Sequence, residues 1–426
     1  MKYSDIDIVE LNCILRAFKY NVRQRSIWSM ILIILSKITN AIIKGPYCNK
    51  ELKSEILFFE SSLNCRRALE PVWRNLDNSI YAVMNKECLS RITIAFYSLL
   101  YIPTFFIIYR KQTSDNRLMM RYFFDNYLFS YGMLKVFDDY FRLHKIKLLV
   151  VANDHSTLIR CALHIAKIYD IPTLYLQHCS VTEEFPPLNF TYSFLDGEET
   201  LLKYKAVGKL SGRIYLSGNP RFDVLSYVKK QESDIIGIAL NKADNLIKVK
   251  HLCEFLIKNK KSVCVRPHPT IPIHTFDWCK EKNIELSDPY KESSFDFISR
   301  IKLLIAGESG IHLDAALMFT PSVYFDMLEV GVTYDWYGYI KNGLIAVAKT
   351  QDVLLDVIEK STNNMKRLQD KVEWYNASTG KAVNGRIGEM IANFIYCYVN
   401  DTIDSFDVKY QFVENNDPVT IMKYHN

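Results

Sequence analysis

Short apolar runs alternate with amphipathic stretches from about residue 145 to residue 360. Lys147–Ala152 opens with one lysine and continues as an unbroken apolar run too short for a helix, the pattern of a parallel strand buried on both faces. Asn153, Asp154, His155 and Ser156 leave that strand and can cap the helix that follows. From Thr157 to about Tyr169, Leu158, Cys161, Ala162, Ile165 and Ala166 recur on one helical face, and Asp170 and Pro172 stop the helix. Thr173–Gln177 is the next strand, running into His178 and Cys179. Both strands finish in polar, titratable residues, and in an open parallel sheet ligands bind at that carboxyl edge.

The same alternation continues. Thr191–Leu195 and Arg213–Leu216 read as strands around a helix opened by Gly197, Glu198 and Glu199. Beyond the polar run Lys229–Asp234, strands at Ile235–Leu240, Ser262–Val265, Ile284–Leu286, Lys302–Ala306, Ser322–Phe325 and Leu344–Ala348 alternate with helices at Asp244–Lys258, His274–Lys282, Ser293–Ser299, Ile311–Met318 and Thr350–Glu359. Such alternation predicts doubly wound α/β sheets. Upstream, Met1–Lys44 reads as helical, Leu52–Phe59 and Ser79–Met84 as short strands around a helix at Leu63–Leu76, and Ile92–Tyr140 as mostly helix. The aromatic stripe of that last stretch (Tyr122, Phe123, Phe124, Tyr127, Phe129, Tyr131) is read as core packing. The expected division is a first domain over 1–228, a second over 229–380, and a closing helix, Lys381–Val399, with a tail that carries no readable signal.

Composition narrows the function. A chain of 426 residues that is 49% hydrophobic and 23% charged is an ordinary globular protein of more than one domain. A net charge of +6 suits an anionic substrate or an acidic membrane surface and is too small to argue for nucleic acid. The ten cysteines form no CxxC pair and no zinc spacing, which points to buried thiols and a cytoplasmic setting. The acidic start, MKYSDIDIVELN, does not read as a signal peptide. Ile27–Ile43 is apolar but interrupted by Lys37 and Asn40. Ile92–Tyr109 lacks charge between Arg91 and Arg110-Lys111, so a span, an interfacial helix and a core helix all remain open.

Two segments of the second half carry chemistry. Gly307-Glu308-Ser309-Gly310 between a strand and a helix suits a phosphate: the glycines allow close backbone approach, Ser309 offers a hydroxyl, and Asp314, one turn on, could reach a ribose hydroxyl. A plain helix cap at Ser309 is the ordinary alternative. Arg266-Pro267-His268-Pro269 ends the neighbouring strand in a stiff turn that fixes an imidazole beside a guanidinium, a pairing that suits a mono- or diphosphate. Ser217-Gly218-Asn219-Pro220-Arg221-Phe222-Asp223 is a third turn at a strand end.

Taken in order, Gln177-His178-Cys179, Gly218-Asn219-Pro220-Arg221-Phe222-Asp223, Arg266-Pro267-His268-Pro269 and Ser309-Gly310 with Asp314-Ala315 resemble the GT-B glycosyltransferases of bacterial surface-polysaccharide clusters (capsule and lipopolysaccharide). CDP-glycerol-type transferases and the UDP-N-acetylglucosamine 2-epimerases share this layout. The resemblance covers roughly 145–359. It implies two Rossmann-like parallel-sheet domains facing across a cleft, here with extra N-terminal helices, and a nucleotide-sugar donor held by Arg266, His268, Glu308, Ser309, Gly310 and Asp314. It further implies that the N-terminal edge faces a glycan or lipid-linked acceptor and supplies the base of an inverting transfer. Asp154, His155, His178, Glu183 and Glu184 are the candidates, with Asp154 or Glu183 foremost and His178 beside the donor phosphate. A helix cap for Asp154, a buried histidine for His178 and a solvated loop for the glutamates are the plain alternatives. Cys179 stands where Gly is commoner, which raises the question of a positive φ there. No DxD-type motif sits in a convincing loop, so no metal or other cofactor is expected, and the setting would be the cytoplasm or the inner membrane face.

Overall fold

The computed structural model describes residues 3–16, 24–43, 54–182, 184–328, 335–362, 365–416 and 418–424. The chain forms two compact units, one from Met1–Arg221 with Arg386–Asn426, the other from Phe222–Gly385.

The first unit is built on β1 (Ile56–Glu60), β2 (Tyr81–Asn85), β3 (Leu148–Val151), β4 (Thr173–Leu176), β5 (Asn189–Leu195) and β6 (Ser211–Leu216). They lie in the order β2-β1-β3-β4-β5-β6, all parallel. Leu148, Leu149, Val150 and Val151 are fully buried, as a strand covered on both faces requires. The chain order reverses between β1 and β3, so β3, β4, β5 and β6 bring their carboxyl ends to one edge.

The second unit contains β7 (Ile236–Ala239), β8 (Val263–Arg266), β9 (Glu285–Leu286), β10 (Leu303–Ala306), β11 (Ser322–Phe325) and β12 (Ala346–Ala348). Their order is β12-β11-β10-β7-β8-β9, again all parallel, which is the dinucleotide-fold order with its switch point between β7 and β10. Ile236, Ile238, Val263, Val265, Leu303 and Ile305 form one face of its core, and Leu304, Ala306, Phe297 and Ile301 the other. The doubly wound α/β reading therefore holds in both units.

After the second unit the chain returns to the first. The closing helix spans Ile387–Val399, shorter than expected at its start, because Gly380 and Gly385 take positive φ and the chain turns before Arg386. The tail that carried no sequence signal forms β13 (Tyr410–Asn416) and β14 (Val419–Tyr424). This antiparallel hairpin extends the first sheet by pairing β14 parallel to β6.

The helical stretch 92–140 is four helices, Arg91–Leu100, Ile102–Lys111, Ser114–Tyr122 and Phe124–Leu143. The first two meet at Tyr101 with a 59° bend, and Pro103 sits at the start of the second, where a missing N–H costs nothing. Phe124, Tyr127, Phe129 and Tyr131 are buried, and Tyr131 stacks on Tyr101 at 4.5 Å, so the aromatic stripe is core. Gly132 lets Phe124–Leu143 approach Arg91–Leu100: a Cβ there would lie 2.0 Å from the Ile94 carbonyl oxygen. Gly132→Ala should destabilise the first unit by about 2 kcal/mol or more, read as a lowered melting temperature. An unchanged melting temperature would show that these helices are not closely packed.

Candidate active site

At the carboxyl edge of the first sheet, β3 ends in Asn153-Asp154-His155. Asn153 Oδ1 accepts the backbone N–H groups of His155 (3.1 Å) and Ser156 (2.7 Å) and closes the turn that leads into the helix, whose N-cap, Ser156, makes no side-chain capping bond, so Asp154 is not the helix cap. Asp154 is buried, with both carboxylate oxygens occupied. Oδ1 lies 2.9 Å from His155 Nδ1, and Oδ2 accepts the Tyr204 hydroxyl at 2.6 Å. Behind it, the Tyr175 and Tyr204 hydroxyls are 3.1 Å apart, and burial holds both phenols well above their ordinary range.

The carboxylate fixes the imidazole tautomer of His155. Nδ1 carries the proton toward Asp154, and Nε2 is left as a lone pair, 3.3 Å from Asn153 Nδ2. The ring is partly exposed, packed on Phe185 at 4.2 Å and 5.5 Å from the His178 ring. His178 is buried, with Nε2 near Asn153 Nδ2 (3.4 Å) and Cys179 Sγ (3.3 Å). Burial first, and then the neighbouring His155, push His178 down to about 4, so it stays neutral at neutral pH. Cys179 has no positive φ, so this position does not require glycine, and burial pushes its thiol up.

Gln177 closes the end of β4. Its Nε2 donates to Cys179 O (3.0 Å) and Thr200 Oγ1 (3.1 Å), and its Oε1 accepts the Asp196 N–H (2.9 Å). Asn219, beyond β6, donates to Gln177 O (2.5 Å) and to Asp196 Oδ1 (2.8 Å). Gly218 takes φ +85° to deliver Asn219 there. Burial pushes Asp196 up to about 7, although the Arg221 charge and the Asn219 bond pull it down.

Asp154, His155 and His178 thus share one edge. Glu183 lies outside the described residues, and Glu184 is exposed. Tyr204 and Asp196, which no local spacing ties to Asp154 and Gln177, complete the arrangement together with Asn219 of the turn after β6.

In the second unit, loops after β8, β7 and β10 follow three adjacent strands. After β8, His268 Nδ1 accepts the Thr270 N–H (3.2 Å) and lies 2.8 Å from its hydroxyl, which leaves the proton on Nε2 as a donor. Burial and the Lys242 charge hold this imidazole below its ordinary pKa. The Arg266 guanidinium turns to the strand's own flank, donating to Ser287 Oγ (2.7 Å) and Glu292 O (2.8 Å). After β7, Asn241 Nδ2 donates to Glu308 O (2.7 Å), tying this loop to the one after β10.

In the loop after β10, Glu308 Oε1 accepts the Tyr337 N–H (3.1 Å), and Ser309 Oγ sits 3.4 Å from the Ile311 N–H. Gly310 has open space where a Cβ would be. Asp314 is buried, with Oδ2 3.4 Å from Ser294 Oγ. Asp244 was read only as a helix start. Its Oδ2 accepts the Asn241 N–H (2.6 Å), while Oδ1 is buried without a hydrogen-bond partner, 3.3 Å from the position a Cβ on Gly307 would take. Burial pushes this carboxyl up to about 6.

No protein-family model matches the chain, and no curated protein is similar to it in sequence. Solved structures are similar in fold. A UDP-N-acetylglucosamine 2-epimerase superposes with a TM-score of 0.52 at 11% identity, over 82% of this chain and 97% of that one. The fold is of the GT-B type. The Neisseria meningitidis UDP-GlcNAc 2-epimerase bound to UDP-GlcNAc gives 0.52 at 13% identity, over 80% and 99%. The wall teichoic acid polymerase TagF is also similar, with a TM-score of 0.48 at 11% identity over 87% and 95%. In open parallel sheets of this kind the carboxyl edge is, as a rule, where ligands bind.

His312 offers a check on the second unit. It is buried, with Nε2 3.0 Å from Gly307 O, and burial pushes it down to about 4. The folded chain refuses a proton that the unfolded chain binds below about pH 6.5, so the stability this neutral ring contributes is whole above that pH and falls away toward pH 4. Asp244, raised to about 6, works in the opposite direction, so the observable is a difference. In urea unfolding, the advantage of wild type over His312→Gln should shrink by about 2 kcal/mol from pH 7 to pH 5. An advantage equal at both pH values would mean that the ring is protonated in the fold.

Proposed function

We propose that this protein is an inverting glycosyltransferase that moves a sugar from a nucleotide-sugar donor to a hydroxyl of a growing bacterial surface glycan, of the capsule or lipopolysaccharide kind, at the cytoplasmic side. The Asp154–His155–Tyr204 arrangement is the observation that carries this reading. Asp154, satisfied on both oxygens and buried, is a positioning residue. His155 is the catalytic base. Its Nε2 takes the acceptor hydroxyl proton as that oxygen attacks the anomeric carbon. The new C–O bond forms, the bond from that carbon to the phosphate oxygen breaks, and the nucleotide leaves with the electron pair. The carboxylate behind Nδ1 stabilises the imidazolium so formed. His178, held neutral by burial, lines the same edge without competing for the proton.

The second unit is proposed to hold the nucleotide. His268 Nε2–H, the Ser309 hydroxyl and the open backbone at Gly310 suit phosphate oxygens. The unpartnered Oδ1 of Asp244 suits a donor group such as a ribose hydroxyl. Neutral and partial-positive donors of this kind can stabilise the leaving phosphate, and no metal is assigned to the reaction.

The test is nucleotide release from UDP-, CDP-, GDP- and CMP-activated sugars and from CDP-glycerol, with and without a bacterial glycolipid extract as acceptor. The proposal expects release from one sugar donor that depends on the extract. His155→Gln and Asp154→Asn should each lower kcat by roughly 10²- to 10⁴-fold with little change in donor KM. Tyr204→Phe, which removes one of the two groups that hold Asp154, should lower kcat less. Inversion of free UDP-GlcNAc at C2 without acceptor would make the protein an epimerase instead, and CMP release from CDP-glycerol a polyol-phosphate transferase. Glycan production in cells that survives His155→Gln would make it a scaffold.

A further inference from the structure

Helix Ile27–Ile43 is amphipathic the wrong way round for a protein in water. Its one charged residue, Lys37, turns toward the protein, where Nζ lies 2.7 Å from Asp125 Oδ2 and 4.8 Å from the centre of the Phe129 ring. The face turned outward carries no charge and is largely apolar: Trp28 is 77% exposed, Leu32 65%, Leu35 52% and Ile43 74%, with Ser36, Thr39 and Asn40 as the exposed polar residues among them. Only Ala41 of its seventeen residues is buried. The helix packs beside Arg91–Leu100 and Phe124–Leu143, and the first of these repeats the pattern. Ile92, Phe96 and Leu100, spaced four apart, form an exposed apolar stripe, while Ala95 and Ser98 on the opposite side are buried. Across the bend, Phe106 and Ile107 are about half exposed, whereas Phe105 is buried.

Apolar surface on this scale, on three neighbouring helices, requires a cover. Charge says which. Arg25, Arg91, Arg110, Lys111 and Arg117 border the apolar stripes, with Asp115 the acidic residue among the last of them, and Arg110 and Lys111 are exposed. Tyr97 and Tyr109 lie along the same helices, amphipathic rings of the kind that settle at headgroup depth. Each of the three helices also keeps one side packed on the protein, so lipid can reach only the other. The bend of 59° between Arg91–Leu100 and Ile102–Lys111 suits a surface and not a straight crossing, and among the described residues no single helix is long and apolar enough to cross a bilayer.

We infer that the outward faces of Ile27–Ile43, Arg91–Leu100 and Ile102–Lys111 form a docking surface for an anionic lipid bilayer, with the helices lying in its interface and Arg110 and Lys111 on the headgroups. The inference rests on surface chemistry alone and stands or falls apart from the proposed reaction. Its consequence for that reaction is that an acceptor carried on a lipid would be met at the membrane.

The experiment is flotation of the full chain with vesicles of phosphatidylcholine containing phosphatidylglycerol, against vesicles of phosphatidylcholine alone, at low and high salt. Wild type should float with the anionic vesicles and less with the neutral ones, and high salt should weaken but not abolish the association. Leu32→Glu and Phe96→Glu, exposed positions that leave the core intact, should each lower the partition coefficient about tenfold or more, at unchanged melting temperature. Arg110→Gln with Lys111→Gln should lower binding to anionic vesicles roughly tenfold and leave binding to neutral ones as it was. Wild type that stays with the soluble fraction on anionic vesicles overturns the inference. So does a dimer in solution, seen by light scattering, that Leu32→Glu dissociates, for the apolar face would then belong to a second copy.

Discussion

The carboxamide of Gln177 is the constraint on which the first unit's functional edge depends. A parallel sheet delivers its strand ends to one side, and each brings backbone groups that the ladder no longer satisfies. Gln177 meets that demand in three directions, holding Cys179 O, Thr200 Oγ1 and the Asp196 N–H, while its own carbonyl is taken by Asn219. The ends of β4, β5 and β6 are therefore cross-linked by two side-chain amides. His178 and Cys179 follow immediately, and His155 on β3 lies against them. Because the amide network is buried and directional, the imidazoles have little freedom.

The two edges are organised on different physical terms. In the first unit the polar groups are closed on one another. Asp154 is saturated, His155 has one assigned tautomer, and burial keeps His178 neutral. Such an arrangement is prepared to accept one proton at one atom. In the second unit, groups are left with something still to do. His268 presents an N–H, Gly310 opens onto space, and Asp244 keeps an oxygen without a partner. A buried unpaired carboxylate oxygen is costly to the empty fold and is relieved when a ligand donates to it. A held imidazole in one unit and unsatisfied polar groups in the other are the observations that support the proposed transfer.

Periodicity made the sheets legible. Strands fully buried on both faces leave unmistakable apolar runs, and the residues that end them stand next to those runs, so the carboxyl edges of both sheets could be located from the chain alone. What the sequence could not convey was direction. Asp154 reads equally well as a cap, a base or a positioning group until both its oxygens are seen to be held, one beside His155 and the other by Tyr204, fifty residues on. Arg266 stands beside His268 in sequence, yet its guanidinium is engaged with Ser287 and Glu292. The C-terminal hairpin escaped notice because β13 lies at the sheet's edge and is mostly exposed, so no apolar run marks it. The same reasoning exposes the N-terminal helices: their composition said only that they are apolar, and the turning of Lys37 inward shows which side they offer to their surroundings.

The central claim is that the second unit's carboxyl edge is a nucleotide site. Thermal denaturation of the full chain with UDP, CDP, GDP, ADP and CMP, each with and without magnesium, tests it most directly. The account predicts that one nucleotide at saturating concentration raises the melting temperature by roughly 5 °C, and that His268→Ala or Asp244→Asn removes the rise while leaving the unliganded chain folded. A panel in which no nucleotide shifts the transition, or a shift that both variants retain, would contradict it.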